Sequence, residues 1–196
     1  GIVTKSFLIT RDLELLRRLH ERTHLSISVS IPFFDEKVAR LIEPNAASRG
    51  KRFEAVRTLA SAGLDVGILV APIIPGLNDS DIPKILKEAR ACGAKSASPV
   101  LLRLPGNVKS VFISRIQKHF PLAAGKILHR IREVREGKLS NPNFGERHSG
   151  KGPYWENIEK LFDLWCHKLG LNEEVEPSLR PPFQRLGAQK ELAFSL

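Results

Sequence analysis

The sequence predicts an α/β fold of parallel βα units followed by a helical carboxyl-terminal region, and three observations carry that reading. Short apolar runs alternate with helical patterns from Gly1 to Leu102, as successive βα units require. One of those runs, Leu64 to Ala71, is almost continuously apolar, which suits a parallel strand covered on both faces. After Arg103 the strand patterns cease and helical periodicities take over.

Each element has a local reason. Gly1 to Lys5 is a short strand, and Leu13, Leu16 and Leu19 make an apolar stripe on a helix that Thr10 or Asp12 can open. Leu25 to Ile31 alternates with period two, and Asp35 then precedes a helical segment carrying Val38, Leu41 and Ile42. Pro44 stops it, because proline disfavours a helical residue before it. A helix follows from Arg49 to Ala62 with Phe53, Val56 and Leu59 on one face and Gly63 beyond its end. After the apolar strand, Pro72 to Asp79 is rich in turn formers, and Ser80 is placed to cap a helix from Ile82 to Cys92 that closes at Gly93. Ser98 to Leu102 is a fourth strand with Pro99 near its start. Helices over Val108–Phe120 and Ala123–Glu136 are separated by Pro121, the second stopping at Gly137. Ser140 to Pro153 is a polar loop, and Trp155, Ile158, Phe162, Trp165 and Leu169 then form one face of a last helix. Beyond Gly170, Glu173 to Glu176 with Pro177, Pro181 and Pro182 reads as a tail.

Composition narrows the classes. The chain has 196 residues, 42% of them hydrophobic, enough for one sizeable core. Its formal net charge of +10 makes a polyanionic partner a candidate. No run approaches the roughly 18 apolar residues of a spanning helix and no signal peptide is evident, so a cytoplasmic location is expected, with no membrane partner. Two cysteines, Cys92 and Cys166, are too few for a disulfide framework and too far apart for a metal motif, so both are expected to be core thiols and no metal ligands are assigned. A chain that starts at Gly1 and contains no Met is expected to be a piece of something longer.

Parallel βα sheets hold ligands in the loops at the carboxyl ends of their strands. The first such loop presents Lys5, Ser6 and Arg11, the second Ser30 and then Glu43, the third Asn78 and Asp79, and the fourth Arg103. Cations, hydroxyls and a few carboxyls suit a small zwitterion with ribose hydroxyls, or a phosphate. The same residue types also suit a solvated rim.

The order of these words adds specificity. Val3-Thr4-Lys5-Ser6 with Arg11 to Leu16, Val29-Ser30-Ile31, Arg40 to Pro44, Arg52 to Val56 with Ala62-Gly63, Ala71 to Asn78, Leu102 to Pro105 and Arg132 to Gly137 follow one another as in a known group. From Val3 to about Gly170 the chain resembles the carboxyl-terminal part of a radical S-adenosylmethionine enzyme of the spore photoproduct lyase-like group, also called DNA repair photolyase-like. The resemblance implies a partial TIM-like βα barrel in which a 4Fe-4S cluster reductively cleaves S-adenosylmethionine to a 5′-deoxyadenosyl radical, which takes a hydrogen atom from a substrate. Lys5 matches a lysine expected near the methionine carboxylate, and Ser30 a strand-end serine near the ribose. Pro72 to Asn78, with Pro72 and Asn78 as its marked residues, matches the loop beside the adenine. Glu43 and Arg52 match a recurring acid–base pair, structural or substrate-facing, and Arg11 and Arg103 are placed in the same class.

The departures matter equally. That group holds its cluster with Cys-x-x-x-Cys-x-x-Cys, whose three thiolates leave one iron open, and this chain lacks the motif. A motif of two glycines and a glutamate on the second strand is missing too. The resemblance therefore implies S-adenosylmethionine and a 4Fe-4S cluster in a full-length parent, the cluster ligands being absent from this chain, which by itself has no redox chemistry. Residues 1–105 are expected to be the barrel portion without its first strands, 106–171 a helical extension and 172–196 a tail. The missing amino-terminal part of the same protein is the expected partner.

From Arg103 to Lys138 cations outnumber acids by nine to two, so nucleic acid is a second candidate partner. Arg147 to Gly152 can cradle an anion with exposed backbone donors, although it lacks the spacing of a phosphate-binding loop. The alternative function is a catalytically silent basic βα module that binds nucleic acid or a protein.

Overall fold

A computed structural model describes residues 1–173. Four parallel strands, β1 (Ile2–Thr4), β2 (Ser26–Ser30), β3 (Asp65–Ile73) and β4 (Ser96–Leu101), form one open sheet in the order β1-β2-β3-β4. The helices are α1 (Leu13–Arg22), α2 (Glu36–Ile42), α3 (Arg49–Ser61), α4 (Ile82–Ala91), α5 (Val108–His119), α6 (Ala124–Glu133) and α7 (Pro153–Leu169). The α/β expectation holds, as four βα units side by side in sequence order.

Register sorts the strand residues into two faces. Ile27, Val66, Ile68 and Val70 lie on one face and are fully buried against Phe53, Val56 and Leu59 of α3 and Ile82, Ile85 and Leu86 of α4. The other face carries Ser28, Ser30, Gly67, Leu69, Ser96 and Ser98, which stand opposite one another along the register. The expectation that the third strand is covered on both faces is corrected here. Leu69 and Ala71 are only half-buried, because among the described residues their face looks onto an open cavity rather than onto a helix. The apolar run reflects the enclosure of one face and the shape of the cavity floor on the other.

The helix ends follow sequence chemistry with two exceptions. Asp35 caps α2 by accepting from Lys37 N at 2.7 Å, and Ser48 caps α3 by accepting from Lys51 N at 3.3 Å. Asp12 stands at the start of α1, but its carboxylate is taken by Arg11 at 2.9 Å and 3.1 Å, and a 3-10 turn over Phe7–Asp12 leads into the helix instead. Ser80 does not cap α4. The residues Asp79–Asp81 form a 3-10 turn, and the Asp81 carboxylate accepts from Phe34 N at 3.0 Å, so it fastens the preceding βα loop instead of the helix. Pro99 is accommodated because β4 is an edge strand.

A second apolar cluster lies past the strand ends. Phe33, Ile74, Leu102 and Leu104, from the loops after β2, β3 and β4, pack with Phe112 and Ile116 of α5 and Ile127 and Ile131 of α6. Helix α7 belongs to the main core: Trp155, Ile158, Phe162 and Cys166 are buried with the residues of α4. Asn172 fastens the far end of that helix to β4, its amide accepting from Ala97 N at 2.8 Å and donating to Ala97 O at 2.9 Å. The remaining acidic and proline residues expected to form a tail, Glu174 to Pro182, lie outside the described residues. No described helix is long and apolar enough to cross a membrane.

Candidate functional site

The carboxyl ends of all four strands surround a cavity of about 460 Å³. Val3, Leu69 and Val100 make its floor, while Lys5, Ser30 and Arg103 bring polar groups to its rim and Pro72 closes one side. Lys5, Ser30, Pro72 and Arg103 come from the ends of four different strands, so these converge, whereas Ser6, Arg11, Glu43, Asn78 and Asp79 of the same loops do not line the cavity. The volume falls within the usual range for small-molecule sites.

An ion network fixes one wall. Arg52, on α3, has only 4% of its side chain exposed and spends all three of its nitrogens. Nη2 meets Glu43 Oε2 at 2.8 Å, Nη1 donates to Ser30 O at 2.9 Å, and Nε donates to Ala47 O at 2.8 Å. The other Glu43 oxygen pairs with Lys5 Nζ. The acid–base pair of the sequence is therefore a three-member chain, Arg52 to Glu43 to Lys5, which connects the interior to the cavity rim. Two cations share one carboxylate, and the half-exposed Lys5 ammonium is the member with room for another anion.

Ser30 is 3% exposed and its Oγ donates to Ala71 O at 2.8 Å. With its proton committed, the hydroxyl presents lone pairs, so it accepts from a ligand hydroxyl without losing its own bond. Asn78 is fully buried: its Oδ1 accepts from Ile74 N at 2.6 Å, and Nδ2 donates to Pro32 O at 2.6 Å and Pro72 O at 2.9 Å. Its polar atoms are spent on backbone, so it fastens the loop after β3 to the strand end; the loop expected from Pro72 begins only at Ile74, because β3 runs on to Ile73 and includes Pro72. Arg11 is exposed and paired with Asp12, away from the cavity lining. Arg103 lines the cavity, and no hydrogen bond or ion pair of its side chain is found among the described residues.

Two features escape a reading of the sequence alone. Tyr154 reads as part of a helix face, yet its hydroxyl donates to Asp79 Oδ2 while Arg130 stacks on its ring at 4.3 Å. Burial and the Asp79 carboxylate push this phenol up to about 12. Arg135 counts in sequence as one surface cation of nine, but it is 5% exposed. The legible signal is its place at helical spacing after Ile127 and Ile131.

The thiols test whether this chain can hold a cluster. Both are buried, and burial pushes each thiol upward, Cys166 to about 11 with a contribution from Asp163. Cys92 lies at the end of α4 and Cys166 on α7. Two separate core thiols cannot supply three thiolates, and among the described residues no group of three His, Cys, Asp or Glu is placed to hold a metal ion. These residues do not fit a 4Fe-4S cluster. The cavity rim presents the Lys5 ammonium as a donor and the Ser30 hydroxyl oxygen as an acceptor.

Residues 1–89 match the model of the Radical SAM superfamily. That match covers the first 89 of the 196 residues. An uncharacterized protein of Mycobacterium tuberculosis is 28% identical over 149 residues, which cover 74% of this chain and 43% of that protein. One from Acidianus two-tailed virus is 36% identical over 97 residues, 47% of this chain and 32% of that protein. The matches thus span less than half the length of these relatives. Among solved structures, a spore photoproduct lyase variant with bound AdoMet and dinucleoside spore photoproduct superposes with a TM-score of 0.55 at 18% identity, over 86% of this chain and 48% of that one. At that identity the likeness is one of fold, a TIM-like α/β scaffold whose sheet is open here.

Proposed function

We propose that the cavity at the strand ends is an S-adenosylmethionine-binding wall of a radical SAM enzyme. The observation that carries this reading is the convergence of Lys5, Ser30 and Pro72 on one cavity within a segment that matches the superfamily. Lys5 meets the methionine carboxylate, held in position by Glu43, which Arg52 anchors from the core. Ser30 accepts from a ribose hydroxyl while donating to Ala71 O. Asn78, by holding Pro72 O, fixes the end of β3 so that Pro72 lies against the adenine. One-electron cleavage and hydrogen-atom abstraction are the chemistry that this cofactor supplies when bound with a 4Fe-4S cluster, whose thiolates the two cysteines of this chain do not provide. The contribution of the chain itself is to bind the cofactor, orient it, and line the substrate side of the cavity with Val100 and Arg103.

Calorimetric titration of S-adenosylmethionine into the full chain tests the reading. Lys5→Ala and Ser30→Ala are each expected to weaken binding about tenfold, the loss of one charge-assisted or neutral hydrogen bond. Lys5 is half-exposed, so its removal leaves the fold intact, as circular dichroism checks. Unchanged affinity in both variants overturns the assignment.

A further inference from the structure

The end of β4 gathers cations, and the two carboxylates beside them in the chain, Glu136 and Glu146, line a small cavity with Arg135. Arg135 Nη2 donates to Leu102 O at 2.8 Å and to Arg147 O at 2.9 Å. It thereby ties together the carbonyls that precede Arg103 and His148, and Leu101 N closes the same junction by donating to His148 O at 2.8 Å. The backbone at Arg103, Arg147 and His148 is thus brought together around the Arg135 guanidinium, from the end of β4, the end of α6 and the loop before α7. Arg135 is 5% exposed, and its buried Nε has no partner among the described residues. No described carboxylate pairs with Arg103, Arg135 or Arg147. The acids of this loop are spent elsewhere: Lys151 holds Glu136 at 3.2 Å and Glu146 at 3.7 Å, and Asn141 also donates to Glu146.

Clustered cations without a counter-charge repel one another, and a buried guanidinium with an idle donor is costly. The cost shows at both members that respond. Burial and Arg103 pull the Arg135 guanidinium below its ordinary value, and partial loss of hydration with Arg147, Arg103 and Arg135 pulls His148 down as well. Such an arrangement is relieved by an anion with several acceptor oxygens and more than one unit of charge. Arg103 also lines the main cavity, so an anion here is within reach of a molecule bound there. Phe144, 87% exposed, stands beside the cluster with Arg147 over its ring at 4.8 Å.

We propose that Arg103, Arg135, Arg147 and His148 form a receptor for a phosphate group on the substrate that enters the main cavity. The placement of the rest of that substrate rests on the cofactor reading given above, whereas the phosphate site stands on its own residues. Two sources share this chemistry, a phosphate monoester and the phosphodiester of a nucleic-acid strand.

The test uses the full chain without cofactor, with inorganic phosphate as the first probe. Saturation with phosphate is expected to raise the His148 titration midpoint, followed by NMR, while the other five histidines stay unmoved. Arg103→Gln and Arg147→Gln are each expected to lower phosphate affinity about tenfold, as loss of a charge-assisted contact does. Both residues are at least partly exposed, so these variants keep the test valid where Arg135→Gln fails to fold. A nucleoside monophosphate and a short single strand then separate the sources. Tighter binding of the monophosphate assigns a monoester, and tighter strand binding that weakens steeply with salt assigns a phosphodiester. An unmoved His148 together with unchanged phosphate affinity in both variants overturns the proposal. S-adenosylmethionine titration into the same variants is a separate readout, so loss of either reading leaves the other measurable.

Discussion

Arg52 Nη2 and Glu43 Oε2 lie 2.8 Å apart, with 4% and 14% of their side chains exposed. This pair ties α3 to the end of α2, and through Ser30 O and Lys5 it reaches the strand ends that form the cavity. Its energetic meaning is asymmetric. Taking both charges out of water costs about what their attraction returns; loss of Glu43 would strand the buried Arg52, whereas loss of Arg52 leaves Glu43 with Lys5.

Arg52→Ala leaves Glu43 paired with Lys5 but takes the donor from Ser30 O and Ala47 O, and unfolding stability is expected to fall by about 1–3 kcal/mol for each carbonyl that water cannot reach. Arg52→Lys keeps the charge but cannot make three divergent bonds, and an intermediate loss is expected. Urea denaturation measures both, and equal stability of Arg52→Ala and the parent protein would remove the anchoring role.

Asn78 offers a sharper test of loop architecture because its amide serves three backbone groups at zero exposure. Asn78→Ala leaves Ile74 N, Pro32 O and Pro72 O wanting partners, at about 1–3 kcal/mol for each that water cannot reach. Asn78→Asp is expected to be no better, since an acceptor then faces the two carbonyls. Differential scanning calorimetry should show both variants melting well below the parent. A melting temperature within a degree or so of the parent would mean that the loop relaxes at little cost.

Tyr154 is the single tyrosine of the chain, so its ionisation can be followed directly by ultraviolet absorption. Burial and Asp79 place its midpoint at about 12 in the folded protein, above the ordinary value of 10.0. The folded state holds the phenolic proton more tightly than the unfolded one. The stability linked to it is complete below pH 10 and is lost as pH rises through about 12. Asp79→Asn is expected to bring the midpoint back toward the ordinary value, and a parent midpoint near 10 would show that the hydroxyl is not held by Asp79.

Cys92 and Cys166 are expected to be slow to react with a thiol reagent at neutral pH, because burial raises both thiols and the thiolate is the nucleophile. Two thiols should appear at once when the protein is unfolded. Labelling of either at the rate of a free thiol in the native protein would contradict their place in the core.

The α/β class, the four strands and most helix spans were legible because periodicity and punctuation act locally. The alternation from Ser26 to Ser30 sends Ile27 and Val29 to the core, Asp35 and Ser48 cap the helices that follow them, and Gly63 and Gly93 adopt positive φ past the ends of α3 and α4. The convergence of Lys5, Ser30, Pro72 and Arg103 was legible as well, since parallel topology puts every strand-end loop on one side of the sheet.

What only the tertiary structure decided is how each polar group is spent. Asp81 stands at the start of α4, yet Phe34 N, 47 positions away, claims its carboxylate. Lys5 and Arg52 are 47 positions apart and share Glu43 because β1, α2 and α3 meet at one end of the sheet. Arg135 carries the same charge as its exposed neighbours in sequence, but the junction of Leu102 and Arg147 draws it out of water. Hydrophobic pattern is a property of a segment, whereas the partner of a charge is set by competition among all groups that packing brings within a few ångströms.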